Sequence, residues 1–289
     1  MAERSLTLMA VHAHPDDEAT GTGGVLARYA AEGVRTVLVT CTDGSCGDGP
    51  GGVKPGEPGH DPAEVVALRR RELEASCAVL KVSHLELLGY ADSGMMGWAT
   101  NDAPHSFWRT PVAEAAEQLA ALIEHYQPDV VVTYDAYGFY GHPDHIQAHR
   151  VTMAAVARTA TPAKVYWTTA PRSQVEQFRR VMREYGANEP ASPSDAATGD
   201  GGGGNPHGEE HQPQMGLPDD EITTWVDTSA YGAQKFAALQ AHASQSENIV
   251  FLRMGRERFT EMMGVETFVR VDTDTPPGER EDDLFTGLR

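Results

Sequence analysis

The chain contains 289 residues, of which 40% are hydrophobic and 22% are charged, as in a soluble globular protein with one large domain. The formal net charge of −19 argues against binding to nucleic acid or to an anionic membrane surface, because both need clustered Lys and Arg. No apolar run is long enough to cross a bilayer, and the three irregularly spaced cysteines indicate reduced thiols, so we expect a cytoplasmic protein.

Strand-like and helix-like segments alternate through the first half of the chain. Apolar runs predict strands, and apolar residues at three- and four-residue spacing predict helices. Such alternation indicates right-handed βαβ units, and therefore an α/β, Rossmann-like three-layer fold with a mostly parallel sheet. In chain order, strands are predicted at 6–11, 36–41, 84–88 and 130–134, and helices at 24–31, 64–80 and 112–126.

The second half of the chain is less regular. Residues 186–218 are rich in Gly, Pro and acidic residues and cannot bury enough apolar surface to order themselves, so we predict a mobile loop there. We assign 1–185 and 219–274 to a single domain and expect the acidic C-terminal tail, 275–289, to be frayed. The remaining predicted elements are strands at 164–168, 221–226 and 265–271 and helices at 146–158, 173–185 and 233–242.

A run of polar residues, HAHPDDE at 12–18, follows the first predicted strand directly. Ligands of open α/β sheets bind outside the carboxyl ends of strands, which is where this run lies. His14 and Asp17 are three residues apart and can be aimed at one point, whereas Asp16 must project differently. This spacing separates a metal ligand from a base that is not a ligand, although either Asp alone is equally compatible with a helix N-cap.

A second polar run, YGHPDH at 140–145, follows the strand at 130–134. The two runs should face each other across the end of the sheet, and a pair of His-Pro-Asp clusters is hard to explain by helix caps. Two histidines and one carboxylate with an open position form a typical catalytic zinc site. Non-haem iron uses the same ligand set, so the ligands do not fix the metal.

These two runs resemble the signature motifs of the PIG-L/LmbE-like N-acetylglucosaminyl deacetylases. Residues 69–80, 92–94 and 235–245 also resemble segments of that family, so the resemblance covers most of the chain. It is nearest to the actinobacterial branch, which contains a mycothiol-type deacetylase acting on GlcNAc-inositol and a mycothiol S-conjugate amidase.

The resemblance implies a cofactor, Zn²⁺ or alternatively Fe²⁺, held by His14, Asp17 and His145. It implies that Asp16 is the general base of the reaction. Three further residues are expected to support the site without binding the metal: His12, Glu18 and His242.

Further roles follow from the same resemblance. His142 and Tyr140 would assist at the developing oxyanion or at the leaving amine, with Asp144 orienting His142. Arg69 and Asp92 match positions that bind the polar substrate in relatives. Two simpler interpretations stay open at this stage: Arg69 as a solvated helix arginine, and Asp92 as a turn residue.

The function expected from these features is zinc-dependent hydrolysis of an N-acyl, foremost an N-acetyl, amide on an amino sugar or a related small molecule. The conjugate amidases carry a Lys shortly after the first motif, and residues 18–24 contain none, which disfavours that activity. A natural-product deacetylase and a metal-dependent hydratase are the alternative enzymes. Asp16 argues against a metal-binding protein without catalysis, and the sequence leaves the oligomeric state open, a homo-oligomer included.

Overall fold

The predicted strands form one sheet in the computed structural model, which describes residues 5–184, 215–271 and 280–289. Among these residues, seven strands lie in the order β3-β2-β1-β4-β5-β7-β6. Strands β1 to β5 are parallel, and β7 runs antiparallel to β5 and β6, which confirms the mostly parallel α/β sheet. The strands are β1 (Thr7–His12), β2 (Arg35–Thr42), β3 (His84–Tyr90), β4 (Val130–Tyr134), β5 (Lys164–Thr169), β6 (Thr224–Asp227) and β7 (Val265–Arg270).

Helices follow most of the strands. Four of them were not predicted. Two of these, α1 (Asp17–Gly21) and α5 (Gly138–Gly141), are very short, and between the other two, α9 (Ile249–Arg253) and α10 (Gly255–Met263), Gly255 has a positive φ of 77° that interrupts the helical periodicity. The helices of the described residues are α1 (Asp17–Gly21), α2 (Gly23–Ala31), α3 (Pro62–Leu80), α4 (Val112–Tyr126), α5 (Gly138–Gly141), α6 (Pro143–Val156), α7 (Arg172–Glu184), α8 (Gly232–Ala241), α9 (Ile249–Arg253) and α10 (Gly255–Met263).

The central strands β1, β2 and β4 are buried on both faces, so apolar residues alternate between two cores. Leu8 and Ala10 of β1 pack in one cluster with α2, α3 and α8. Met9 and Val11 pack in the other cluster with α4 and α6. Helices therefore cover both faces of the sheet and form the expected three layers.

The C-terminal segment differs from its prediction. In residues 280–289, Leu284 and Phe285 are fully buried in the cluster beside α2, and the Leu284 backbone N–H donates to the Tyr29 hydroxyl at 2.8 Å. The prediction of a frayed tail is therefore wrong for this stretch, because two apolar side chains stabilise it against the domain. The predicted loop at 186–218 lies outside the described residues except for 215–218, where Leu217 pairs with Pro171.

We find no helix within the described ranges that combines the length and the apolar character needed to span a membrane.

Candidate active site

The two polar runs meet at the carboxyl ends of β1 and β4. The chain passes from β1 to β2 and β3 on one side and returns to place β4 on the other side of β1, so the order of strands reverses here. Crevices at such reversals are where open α/β sheets bind ligands. Helix α1 begins just beyond β1, and α5 and α6 follow β4, which brings residues 12–18 and 140–145 together.

The three predicted metal ligands have donor atoms that lie close together. His14 Nδ1 lies 3.3 Å from His145 Nε2 and 3.3 Å from Asp17 Oδ2, and Asp17 Oδ1 lies 3.5 Å from His145 Nε2. Zinc bonds of about 2.0–2.1 Å in a tetrahedron place neighbouring donors about 3.3–3.4 Å apart. These are donor types that zinc prefers, and the distances of His145 Nε2 from His14 Nδ1 and from Asp17 Oδ1 are near this spacing. The assignment of the three residues as ligands stays a prediction.

In the described part of the chain, two groups of residues have one donor atom each within 4.8 Å of one another: His14 with His142 and His145, and His14 with Asp92 and Asp144. The second group faces His14 Nε2, which lies 3.2 Å from Asp144 Oδ2 and on the opposite side of the ring from Nδ1. We favour the site at Nδ1, because there two further predicted ligands converge while Nε2 is already hydrogen-bonded.

Asp144 supports His14 rather than His142. Its fully buried carboxylate accepts a hydrogen bond from His14 Nε2 at 3.2 Å, from the Ser93 backbone N–H at 2.8 Å and from the Ser93 hydroxyl at 2.5 Å. Only the backbone N–H of Asp144 reaches His142, donating to Nδ1 at 3.1 Å. The contact of Asp144 with His142 is thus made by its backbone, and the carboxylate fixes the ring of His14, a predicted metal ligand.

The backbone of Asp16 adopts a left-handed conformation, with φ of 116°. Such a conformation is unfavourable for residues other than glycine and is typical of functional sites. Its carboxylate lies 3.2 Å from Arg69 Nη2 and 3.4 Å from Asn248 Nδ2, and its side chain is 20% exposed. Burial raises the pKa of Asp16 to about 6, and the positive charge of Arg69 opposes this shift.

Glu18 and His242 form a buried pair behind Asp16. Glu18 Oε1 lies 2.7 Å from His242 Nε2 and accepts a hydrogen bond from Ser76 at 2.5 Å, while Glu18 Oε2 accepts the Asp16 backbone N–H at 2.9 Å. These contacts match the expected supporting role of both residues. Sequence reasoning gave no role to Ser76, although it lies in the segment 69–80 that resembles the family.

Arg69 is not a solvated helix arginine, since it is only 4% exposed. Besides Asp16, its guanidinium donates to the Gly44 carbonyl oxygen at 2.9 Å and to the Pro15 carbonyl oxygen. Asp92 is likewise buried and accepts backbone N–H bonds from Gly94 at 2.8 Å and from Cys46 at 3.3 Å. Both side chains hold loops of the site together, and their predicted contact with substrate stays a prediction.

Replacing Arg69 should destabilise the protein. Arg69→Ala should lower the free energy of unfolding by about 2 kcal/mol, less than for a fully buried pair because Asp16 is partly exposed. Arg70→Ala is the matched control: its side chain is 56% exposed and pairs with Glu74 on the same helix, so its effect should stay within about 0.5 kcal/mol. Urea denaturation of both variants checks this, and equal midpoints would contradict the buried role of Arg69.

The loop after β4 places Tyr140 and His142 beside the predicted metal ligands. The ring centroid of Tyr140 lies 5.0 Å from that of His145 and 6.1 Å from that of His142. Burial lowers the pKa of His142 well below its usual value, and neighbouring histidines add to this shift. His142 is therefore neutral, and because its Nδ1 accepts the Asp144 N–H, its proton lies on Nε2.

The sequence model of PIG-L, described as GlcNAc-PI de-N-acetylase, matches residues 9–156 of the 289, a range that contains both polar runs. The chain belongs to the PIG-L family. A relative from Salinispora arenicola, named 1D-myo-inositol 2-acetamido-2-deoxy-alpha-D-glucopyranoside deacetylase, is 42% identical over 97% of this chain and 91% of its own. This match confirms the resemblance to the actinobacterial branch of the PIG-L family.

Solved structures share the PIG-L fold at lower identity. The N,N'-diacetylchitobiose deacetylase from Pyrococcus horikoshii has a TM-score of 0.57 and 20% identity, covering 98% of this chain and 86% of its own. The 4-carboxy-2-hydroxymuconate hydratase from Pseudomonas putida has a TM-score of 0.57 and 19% identity, covering 94% and 98%. A deacetylase and a hydratase thus share this fold, so the fold alone does not separate the two reactions.

Proposed function

We propose that this PIG-L protein is a zinc-dependent deacetylase that hydrolyses the N-acetyl amide of GlcNAc-inositol. The observation that carries the proposal is the convergence of His14, Asp17 and His145 donors at 3.3–3.5 Å, with Asp16 next to them in the chain. The name of the relative at 42% identity supports the substrate.

Zinc, when bound by these three residues, would polarise the amide carbonyl and lower the pKa of a water molecule to about 7. Asp16 accepts the proton of the attacking water, and Arg69 keeps its carboxylate in place. His142 presents its Nε2–H to the oxyanion that develops on the substrate, and one such donor contributes about 3–4 kcal/mol to the transition state. The leaving amine takes its proton from Asp16.

The second candidate reaction is hydration of a carbon–carbon double bond, because a hydratase shares this fold. The two reactions differ in their products, because only amide hydrolysis releases acetate. An acetate assay with GlcNAc-inositol therefore separates them: stoichiometric acetate and free amine support the proposal. No acetate from a zinc-loaded, folded protein would contradict it.

We expect a preference for a small N-acetyl amino sugar. The kcat/KM for GlcNAc-inositol should exceed that for a mycothiol S-conjugate at least about tenfold, because a site built around buried polar groups discriminates between substrates by the polar groups that it can pair. The absence of Lys from residues 18–24 favours the same order. Rates for GlcNAc-inositol, N-acetylglucosamine and the conjugate, measured with one metal and one buffer, check this. Faster cleavage of the conjugate would identify an amidase instead.

A further inference from the structure

Tyr134, the last residue of β4, contacts two of the three predicted metal ligands and belongs to neither polar run. Its hydroxyl lies 2.7 Å from Asp17 Oδ2, and its ring stacks on the ring of His145 at 4.2 Å with an interplanar angle of 18°. We propose that Tyr134 is a positioning residue for the metal site: its hydroxyl makes Asp17 a ligand through one oxygen, and its ring fixes His145. The inference rests on the metal binding proposed above.

The direction of the hydrogen bonds around Tyr134 follows from counting protons. The ionised carboxylate of Asp17 can only accept, so the Tyr134 hydroxyl donates to it. The hydroxyl oxygen of Tyr134 accepts the backbone N–H of Ala13 at 3.0 Å. It also lies 3.3 Å from His12 Nδ1, which must carry a proton in order to donate to it. His12 Nε2 accepts from the Thr22 hydroxyl at 2.8 Å. Thr22, His12 and Tyr134 therefore form a series of hydrogen bonds in which each residue donates to the next, and Tyr134 donates to Asp17.

Both oxygens of Asp17 lie near the histidine donors, at 3.3 Å for Oδ2 and 3.5 Å for Oδ1. Oδ2, however, accepts two hydrogen bonds, from the Tyr134 hydroxyl and from the His14 backbone N–H at 2.7 Å. Both lone pairs of Oδ2 are then occupied by hydrogen bonds, so Oδ1 is the oxygen that can bind the metal. Binding through one oxygen keeps three protein ligands and an open fourth position, as a catalytic zinc site requires.

His145 needs support that a hydrogen bond does not give it. Metal-binding histidines are usually oriented by a hydrogen bond from the second ring nitrogen, as Asp144 provides for His14. The buried Nδ1 of His145 has no hydrogen-bond partner in the described part of the chain. Other rings lie 5.0–5.2 Å from this ring, and stacking on Tyr134 at 4.2 Å is the closest of the ring contacts that hold its plane among the described residues.

The test compares Tyr134→Phe with Tyr126→Phe. Tyr134→Phe keeps the stacked ring and loses the hydroxyl, so the dissociation constant for zinc, measured by competition with a chelator, should rise about 10–100-fold. Visible absorption of the Co²⁺-loaded variant should weaken as Asp17 becomes a two-oxygen ligand. Tyr126→Phe removes a hydroxyl that donates to Glu86 outside the site, and it should change neither measurement.

Two further variants keep the result interpretable. Tyr134→Leu also removes the stacking and should weaken zinc binding more than Tyr134→Phe does. Thr22→Val removes a hydroxyl two hydrogen bonds away from Tyr134 and has a side chain of the same shape, so we expect a smaller decrease in zinc affinity. This variant provides the test if circular dichroism shows that Tyr134→Phe does not fold.

Unchanged zinc affinity and an unchanged Co²⁺ spectrum in Tyr134→Phe, or in Thr22→Val where Tyr134→Phe does not fold, would overturn the inference while leaving the deacetylase standing. A wild-type protein that binds no metal would overturn the proposed function itself.

Discussion

His145→Ala should bind zinc more than about 100-fold more weakly than the wild-type protein. Removing a partner outside the metal's own ligands already costs about 10–100-fold in affinity, and loss of a ligand costs more. The Nε2 of His145 lies close to donor atoms of both other predicted ligands, at 3.3 Å from His14 and 3.5 Å from Asp17. Metal content after dialysis, measured by ICP-MS, and competition with a chelator check the expected loss.

The matched control is His125→Ala, which removes an exposed histidine at the end of α4. It should retain the wild-type metal content. Asp17→Asn should lose metal like His145→Ala, since a neutral amide is a poorer ligand than a carboxylate. Equal metal content in His145→Ala and wild type would show that the metal, if one binds, is held by another set of donors.

The sequence predicted the central elements of the fold well, because their residues are buried almost throughout. The strand at 130–134 and the helix at 112–126 have the predicted boundaries, since an apolar run and a regular apolar spacing end there abruptly. The C-terminal segment was mispredicted because its acidic composition conceals two apolar residues, Leu284 and Phe285, which the sheet and α2 bury. Which short segment docks on a core depends on the finished tertiary structure.

The site was predicted only as far as local motifs reach. The two polar runs follow strands that turn out to be neighbours, so parallel pairing of β1 and β4 is enough to bring them together. Tyr134 and Ser93 lie outside the two polar runs and were given no role, because each acts on a residue far away in the chain: Tyr134 on Asp17, Ser93 on Asp144.

The direction of the Asp144 side chain could not be read from the sequence for the same reason. Its neighbour His142 receives only its backbone N–H, whereas its carboxylate binds His14, which comes from the other motif.

Asp16→Asn should reduce kcat by about 10²–10⁴-fold, the range of a general base, while zinc binding stays near the wild-type value. The substitution keeps the shape of the side chain and removes its capacity to accept a proton from water. Asparagine tolerates a positive φ better than most residues, so the unusual backbone at this position should persist. Arg69 loses its charged partner but retains its bonds to the Pro15 and Gly44 carbonyl oxygens, which limits the loss of stability.

The measurement is kcat with saturating GlcNAc-inositol, together with metal content by ICP-MS, for Asp16→Asn, Asp17→Asn and the exposed control Asp102→Asn. Asp102→Asn should match wild type in both, and Asp17→Asn should lose metal and activity together. Asp16→Asn alone should lose activity with its metal retained, because Asp16 contacts Arg69 and Asn248 rather than the three donors. Turnover of Asp16→Asn within tenfold of wild type would mean that another residue is the general base. Loss of metal from Asp16→Asn would mean that Asp16 is a ligand. Either result would contradict the proposal that Asp16 is the base and Asp17 the ligand.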